Sequence, residues 1–400
     1  MTTMHPGQPR RRRGRNARLG RGDRSWYATW FWEIDRVLLL LVAMLIGIGL
    51  IAVAAASPAE ASHHNQAPLA YFFRQLLWVA IGLPAMVAVS MLPKDIARRF
   101  SISAAMLFSV LLALVPLVGF DVNGSVRWIG FEGLRFQPSE FLKPFFVVTL
   151  AWMLSLRAQD RSLPMIPFSG LLIAIIAFFL MNQPDFGQTV IFVAVWLALL
   201  ILSGIGLRLI VSLGAAGVAL LVAAYLFYEN GRDRIDSFLG LTSAETSGPT
   251  HTDLAYATIT NGGLVGLGPG SGVRKFHLPE AHNDYIFSVI GEEFGLLSCM
   301  VIALIYLAIM VRVFIKLLDE KDNFLILASA GLVIQFGLQA LINMAVNVQI
   351  APSKGMTLPF ISYGGSSVVA ISIGFGLLLA FTRRNPYLTR SPYVVTWSGR

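Results

Sequence analysis

A dense group of ionisable residues precedes a long apolar run in the sequence KFHLPEAHNDYIF, residues 275 to 287. Eight positions of this stretch contain His277, Glu280, His282 and Asp284. A carboxylate at such a place can act as a general base that takes a proton from a substrate hydroxyl. Histidine changes its charge near neutral pH, so His282 is a second candidate for the base beside Asp284.

The same residues also admit two structural interpretations. Asn283 or Asp284 stands where the N-cap of a helix is expected, immediately before the apolar run that starts at Tyr285. The four ionisable residues could also bind a metal, although their spacing matches no strong zinc pattern. The base, the cap and the metal ligand are therefore three alternatives for this stretch.

One face of the helix that follows Asp284 is small or polar. At 100° per residue, this face contains Ser288, Gly291, Glu292 and Gly295. A polar face inside a membrane protein predicts a wall lined by water or ligand, with Glu292 shaping the cavity.

A pair of charged residues opens another apolar run. Glu140 and Lys143 are three residues apart and fall on one face of the predicted helix. They can form an ion pair that shields both charges from lipid. Alternatively, Lys143 faces a cavity and binds an anionic ligand, because charge inside a membrane is costly and usually functional. Their spacing leaves both interpretations open.

Further polar candidates stand in three other strings. Arg127, in DVNGSVRWIGFEGLRFQPSE, can bind phosphate oxygens through two donors at once. Lys354, in APSKGMTLPFISYGGSS, has no acidic neighbour in sequence and could bind a phosphate. Ser366 belongs to a group of small residues that indicates either close helix packing or the lining of a groove. The string NQPDFGQT, residues 182–189, is typical of a hydrogen-bonded turn.

The elements that must position these residues are membrane-spanning helices. The 400 residues are 56% hydrophobic and 13% charged, whereas about a quarter of a soluble domain is charged. The net charge is +9, and eight arginines lie between Arg10 and Arg24. This distribution indicates a cytosolic tail near anionic lipid rather than a nucleic-acid-binding protein. The one cysteine, Cys299, lies in an apolar segment, which excludes a disulfide framework.

Ten apolar runs are long enough to cross a membrane as helices. We predict them at 36–56, 71–92, 100–118, 138–156, 166–182, 187–204, 207–228, 285–311, 324–350 and 362–382. Basic residues recur on one side of successive hairpins, which places both termini in the cytosol. The fold class is therefore an all-α polytopic membrane protein.

Three regions follow from these spans: a basic cytosolic tail at 1–35, a ten-helix domain at 36–384 and a cytosolic tail at 385–400. A large extracytoplasmic loop at 229–284 separates the seventh and eighth helices. Its glycine-rich string NGGLVGLGPGSG must run irregularly, which is tolerated at membrane depth only where protein or water satisfies the backbone.

Five strings of the chain, in sequence order, resemble the SEDS family of bacteria, named for shape, elongation, division and sporulation. They are NGSVRWI, QPSEFLK, QPDFG, LPEAHNDYIFSVIGEEFG and SKGMTLPFISYGGSS. The resemblance covers residues 36 to 384. PEAH followed by IGEE, together with the basic tail, is more similar to the division members than to the elongation members, which more often have alanine where Gly291 stands. Asn283 replaces the family's usual threonine, which could change how the neighbouring aspartate is held.

The resemblance implies a peptidoglycan glycosyltransferase that polymerises lipid II, an undecaprenyl-pyrophosphate-linked disaccharide peptide. The family's essential loop aspartate falls on Asp284, which would be the general base. We expect Lys143 and Lys354 to balance the charge of the leaving pyrophosphate, with Arg127, Arg274 and Lys275 as further candidates. The residues predicted to bind the substrate are Arg127, Glu140, Lys143, His282, Glu292, Lys354 and Ser366. No cofactor is specified, and a divalent cation such as Mg²⁺ or Mn²⁺ is an alternative for the cationic task.

The resemblance also implies a location and partners. The enzyme would work at the outer face of the bacterial cytoplasmic membrane, at the division septum, with a class B penicillin-binding protein transpeptidase and other division proteins. The alternatives are a lipid II flippase or other transporter, a scaffold, and the elongation-type polymerase of the same family. A transporter would need ionisable residues near the bilayer midplane, whereas the carboxylates here cluster at the outer edge.

Overall fold

The structure of the protein, a computed structural model, describes residues 26–122, 125–131, 134–227, 232, 236, 250–352 and 355–383. The helices are α1 Trp26–Glu33, α2 Arg36–His63, α3 Ala70–Ser90, α4 Lys94–Val118, α5 Pro138–Gln159, α6 Met165–Asn182, α7 Phe186–Leu202, α8 Leu207–Phe227, α9 His251–Asn261, α10 Ile286–Leu317, α11 Asn323–Asn347 and α12 Ser366–Thr382. The main unit, Asp35 to Thr382, contains α2 to α12. A small unit contains α1 and Arg383, whose Nε lies 3.5 Å from Glu33 Oε2.

The predicted all-α polytopic class is confirmed. Seven helices among the described residues are long and apolar enough to cross a membrane, and three shorter apolar helices coincide with the other predicted spans. Most predicted boundaries agree within a few residues. Three helices are clearly longer than predicted: α2 continues to His63, α4 begins at Lys94 and α10 continues to Leu317. Helix α12 begins later than predicted, at Ser366. The number of ten crossings stays a prediction.

The segment between α4 and α5, which we predicted as a loop, contains three short strands. They are β1 Phe120–Val122, β2 Ser125–Phe131 and β3 Leu134–Phe136, and they pair antiparallel in the order β1-β2-β3. Phe120 opposes Trp128, and Ile129 opposes Phe136. Aromatic and β-branched residues favour such a pleated surface, whose edge strands are short. Asn123 and Gly124, a dipeptide typical of a turn, lie outside the described residues.

The predicted 229–284 loop is more ordered than its glycines suggest. Residues 228–231, 233–235 and 237–249 lie outside the described part, but α9 follows, with Thr250 and Asp253 forming a capping box at its start. A short 3₁₀ turn covers Arg274–His277. Between α9 and this turn the chain is irregular, as predicted, and it packs against α10.

Helix α10 breaks at Gly295, which has φ 80° and ψ 173°. Irregular backbone from the preceding loop fills the break: Leu296 N donates to the Gly263 carbonyl at 3.0 Å, and Leu297 N donates to the Leu264 carbonyl at 3.2 Å. In the reverse direction, Leu267 N donates to the Glu292 carbonyl at 2.9 Å. The two irregular segments therefore satisfy each other's peptide groups, as a membrane interior requires.

Candidate active site

Asp284 ends the loop above α10, and its backbone is held from a distant helix. The Asp284 carbonyl accepts hydrogen bonds from Asn343 Nδ2 at 2.8 Å and from Asn347 Nδ2 at 3.1 Å. A small pocket of about 200 Å³, including space open to solvent, adjoins this residue. Its lining is Asp284, Tyr285, Asn343, Val346, Gly355 and Met356.

The predicted N-cap at Asn283 or Asp284 is wrong. Helix α10 begins at Ile286, and its N-cap is Tyr285, which makes no side-chain capping bond. The Asp284 carboxylate instead lies beside Gly355, where an added Cβ would be 3.4 Å from Oδ2. Capping therefore does not account for an aspartate at this position.

Three amide side chains of α11 connect the elements around Asp284. Gln339, Asn343 and Asn347 recur every four residues and therefore share one face of the helix. Gln339 Nε2 donates to the Thr357 carbonyl at 3.0 Å, and Asn343 Nδ2 donates to the Met356 carbonyl at 2.6 Å. This polar row was not predicted from the sequence, where its signal was three amide residues at helical spacing in an apolar run.

His282 is buried against α2 and α3, below the loop surface. Its ring lies 4.5 Å from the Tyr71 ring and 5.2 Å from the Tyr363 ring, between centroids. Its Nδ1 is 3.2 Å from Glu60 Oε2, within ion-pair range but without the alignment of a hydrogen bond. Glu60 also lies 3.2 Å from His64. Glu60 was not predicted as a site residue because the first predicted span ends at residue 56, before this position.

The loop that carries Asp284 is also fastened to the segment before α12. Tyr363 N donates to the His282 carbonyl at 2.9 Å, and Ser362 Oγ donates to the Asn283 carbonyl at 2.7 Å. The SKGMTLPFISYGGSS string therefore adjoins the HNDY string in space. Within that string, Ser353 and Lys354 lie outside the described residues.

The small face of α10 packs against protein, so the predicted ligand-lined wall is wrong there. An added Cβ on Gly291 would lie 2.2 Å from Ile259 Cγ1, and one on Gly295 would lie 2.4 Å from the Leu264 carbonyl oxygen. Ser288 Oγ donates to Asn347 Oδ1 at 2.7 Å. The residues are small because α9 and its following loop approach the helix backbone.

Glu292 and Glu293 hold that loop in place. Glu292 is fully buried, and its carboxylate accepts hydrogen bonds from Asn261 Nδ2, Val273 N, Arg274 N and Lys275 N, at 2.8 to 3.1 Å. Glu293 forms a buried ion pair with Lys275, whose Nζ also donates to the Ala55 carbonyl at 2.8 Å. Any effect of Glu292 on a substrate would thus act through the loop. The Lys275 ammonium group binds α2 through Ala55 and α10 through Glu293.

Glu140 and Lys143 form the predicted ion pair and also border a cavity. Lys143 Nζ lies 2.8 Å from Glu140 Oε2 and donates to Gln339 Oε1 at 2.9 Å. Both side chains are buried, and Gln188 Nε2 donates to Glu140 Oε1 at 2.5 Å. The cavity, about 410 Å³ including open space, lies between α5, α11 and α12, and its apolar lining includes Phe336 and Phe375. Gln339 thus links this pair to the row that holds Asp284.

Arg127 is bound to the turn before α7. Its Nε donates to the Gln183 carbonyl at 3.0 Å, and an Nη donates to the Pro184 carbonyl at 2.6 Å. Asp185 caps α7 by accepting from Gln188 N. Burial raises the pKa of Asp185, although the charge of Arg127 opposes this shift. The prediction that the string NQPDFGQT forms a hydrogen-bonded turn is confirmed.

Two further predictions concern Ser366, expected to bind the substrate, and the alternative of a metal site. Ser366 is the first residue of α12, and its buried hydroxyl has no hydrogen-bond partner among the described residues. Within the described part of the chain, no three His, Cys, Asp or Glu residues are grouped closely enough to hold a metal.

A sequence profile of the FtsW, RodA and SpoVE family, described as cell cycle proteins, matches residues 36–387. The chain belongs to this family, the SEDS family. A protein of Caulobacter vibrioides named probable peptidoglycan glycosyltransferase FtsW is 37% identical over 92% of this chain and 94% of its own length. One of the same name from Taylorella equigenitalis is 36% identical, covering 80% and 90%.

Solved structures of SEDS proteins share the fold. A chain of a peptidoglycan synthase complex, studied for its coordination of polymerization and crosslinking, is 26% identical with a TM-score of 0.72, covering 87% of this chain and 97% of its own. RodA of Thermus thermophilus, a rod shape determining protein, is 24% identical with a TM-score of 0.64, covering 87% and 96%.

Proposed function

We propose that this SEDS protein is a peptidoglycan glycosyltransferase that polymerises lipid II at the outer face of the cytoplasmic membrane during septal wall synthesis. The observation that carries the proposal is the position of Asp284. This carboxylate is not used to cap α10, and it adjoins a pocket whose wall includes Asn343 and Met356. The names of the FtsW relatives support the reaction class.

The reaction joins the 4-hydroxyl of the acceptor's N-acetylglucosamine to C1 of the donor's N-acetylmuramic acid. Asp284 takes the hydroxyl proton as the new C–O bond forms, and the bond from C1 to the pyrophosphate oxygen breaks. General-base assistance of this kind contributes typically about 10²–10⁴-fold. Lys143 and Lys354 are the cations that we assign to the pyrophosphate that leaves on its lipid.

The assignment of Asp284 is tested by Asp284→Asn, which keeps a similar side chain and removes the base. The variant is purified with the transpeptidase partner and given lipid II. We expect folded, partner-bound protein that forms no glycan strands. The matched control is Asp160→Asn, because Asp160 is an exposed carboxylate after α5 that accepts hydrogen bonds from Ser162 N and Ser162 Oγ in its own turn. Normal polymerisation by the Asp284 variant would refute the assignment.

The proposed partner and the alternative function as a flippase are tested separately. We propose a class B penicillin-binding protein as the partner, supported by the likeness to a chain of a peptidoglycan synthase complex. Polymerisation with and without this transpeptidase measures its contribution. Labelled lipid II in proteoliposomes distinguishes the alternative function, because a flippase would move the label across the bilayer without forming strands.

A further inference from the structure

An exposed apolar tip lies on the loop between α9 and the 3₁₀ turn. We define the apolar tip as Leu264, Val265 and Leu267, whose exposed fractions are 65%, 76% and 46%. Three large apolar side chains exposed in so short a loop are unexpected at a surface that faces water. The tip therefore needs an apolar environment outside the chain.

The apolar tip is fixed to the break in α10, so its depth in the membrane follows from that helix. Leu296 N and Leu297 N donate to carbonyls of residues 263 and 264, and Gly268 N donates to the Glu293 carbonyl at 3.0 Å. Gly266 N donates to the Gly262 carbonyl at 2.9 Å, which closes the turn at the tip. These bonds satisfy several of the peptide groups that would otherwise keep irregular backbone out of hydrocarbon.

The depth can be counted from the other end of α10. Arg312 binds Asp35 there, with Nε 3.0 Å from Oδ2, so the apolar part of α10 ends near Val311. A hydrocarbon core crossed by roughly 20 residues reaches from Val311 to Glu292. The break at Gly295 is three residues inside that limit, or about 5 Å at a rise of 1.5 Å per residue. Interfacial elements commonly bury their apolar faces about 5–10 Å deep.

The lipid-facing surface of α10 continues directly into the apolar tip. Exposed apolar side chains run along α10 on the inner side of the break: Leu296, Leu297, Met300, Val301, Leu304 and Leu307. Residues 286 to 293, on the outer side, are all buried, because α9, the loop and the neighbouring helices α2 and α11 cover them. On the inner side of Gly295, α10 itself presents an apolar surface to lipid. On the outer side, the loop presents this surface instead.

We propose that the apolar tip inserts into the acyl chains of the outer leaflet, so that the loop leading to Asp284 is anchored in the bilayer. The partner is the lipid hydrocarbon itself. The continuity with α10, the depth and the paired backbone all favour lipid over a second copy of the chain or another protein.

The test measures the surroundings of Val265 with a nitroxide spin label. Cys299, which is buried, is replaced by alanine, and single cysteines are introduced as Val265→Cys, Leu304→Cys and Ser162→Cys. Leu304 is exposed on the lipid face of α10, and Ser162 is exposed in the turn after α5. The full-length variants are labelled, reconstituted in phosphatidylglycerol and phosphatidylcholine vesicles, and probed by collisions with oxygen and with a polar nickel complex.

We expect the Val265 label to resemble the Leu304 label. Its ratio of oxygen to nickel collisions should exceed that at Ser162 by about tenfold or more, because a polar complex is excluded from hydrocarbon. A ratio equal to that at Ser162 would overturn the proposal by placing the tip in water. Low collision rates with both reagents would also overturn it, since a protein would then cover the tip. Leu264→Cys is the second site, should Val265→Cys not yield folded protein.

Discussion

Asn343 and Asp284 are joined by a 2.8 Å hydrogen bond from the side-chain amide of Asn343 to the backbone carbonyl of Asp284. The same amide donates to the Met356 carbonyl at 2.6 Å. One buried residue of α11 therefore fixes the loop before α10 and the segment before α12 relative to each other. The proposed base stands where these two segments meet.

The first prediction is that Asn343→Ala lowers the turnover of lipid II polymerisation more than it lowers substrate affinity. The substitution removes the Asn343 donor from the Met356 carbonyl and leaves the Asp284 carbonyl with Asn347 alone. An unsatisfied buried polar group costs about 1–3 kcal/mol. We expect an increase in the mobility of the Asp284 loop and a fall in kcat with little change in KM. Steady-state rates at varied lipid II concentration measure both.

Asn182→Ala is the matched control for this prediction. Asn182 also donates from Nδ2 to a backbone carbonyl, that of Phe178 at 2.9 Å, but it is exposed at the end of α6. Its removal should leave kcat unchanged. Equal losses in both variants, or a change confined to KM in Asn343→Ala, would contradict a positioning role for Asn343.

The second prediction concerns the loop that Glu292 holds. Glu292→Gln replaces one acceptor oxygen by an NH₂ group that faces backbone donors of residues 273 to 275. Hydrogen bonds to a charged group contribute about 1.5–3 kcal/mol each, so the loop should open first. We expect faster proteolysis between residues 262 and 275 and a lower melting temperature in detergent.

Glu320→Gln is the corresponding control. Glu320 also accepts from two backbone N–H groups, those of Lys321 and Asp322, but it does so in an exposed turn. Its replacement should change neither the cleavage pattern nor the melting temperature measurably. Unchanged proteolysis in Glu292→Gln would show that the loop is held by other contacts.

The helices could be predicted from the sequence because a membrane span is a local property. Twenty apolar residues in a row satisfy their own backbone as a helix, whatever lies beside them. The three strands and α9 are short and lie between spans, where composition is mixed, and neither was predicted. The extension of α2 to His63 was missed because Glu60 and the histidines resemble a loop until Glu60 is seen buried beside His282.

The site was predicted only in part because its organisation depends on distant residues. The motifs indicated residues 280–284 as a candidate site, but the donors that hold the Asp284 carbonyl are 59 and 63 residues further along the chain. Small residues below Asp284 suggested a ligand wall, since a sequence does not distinguish a glycine beside ligand from a glycine beside backbone. Gly291 lies beside the Ile259 side chain and Gly295 beside the Leu264 backbone, so both glycines pack against protein.

The third prediction is a loss of stability in acid that depends on Asp35. Burial raises the pKa of Asp35, but the hydrogen bond and charge of Lys316, together with Arg312, outweigh this and lower it below the ordinary value of 3.8. A carboxyl whose folded-state pKa is lowered stabilises the protein fully above its unfolded pKa, and this contribution is lost as pH falls through the folded value. Melting temperatures from about pH 6 downward measure the loss, which should begin below about pH 4.

Asp35→Asn tests the cause, because asparagine keeps an oxygen for the caps on Val37 N and Leu38 N and removes the charge. The variant should be less stable than the natural chain at neutral pH and should lose less stability in acid. Asp95→Asn, at a carboxyl whose side chain is 80% exposed, should retain the natural acid profile. An unchanged profile in Asp35→Asn would assign the acid sensitivity to other carboxyls.

The final prediction separates the structural and catalytic roles of Lys143. Lys143→Met leaves Glu140 buried without its cation, and breaking a buried pair in this way costs about 3–5 kcal/mol. The double variant Glu140→Gln, Lys143→Met removes both charges, so it should recover much of the melting temperature. As the exposed control at the same spacing, Arg98→Met removes the partner of Asp95, 3.1 Å away, and should cost at most about 1 kcal/mol.

Polymerisation of lipid II by the double variant then decides the role of the cation. If Lys143 balances the charge of the leaving pyrophosphate, the double variant stays inactive even though it is folded. The neutral side chains introduced at positions 140 and 143 restore packing but supply no positive charge. If the pair only holds α5 against α11 through Gln339, activity should return together with stability. Recovery of both in the double variant would therefore remove Lys143 from the proposed mechanism and leave the charge of the leaving group to Lys354.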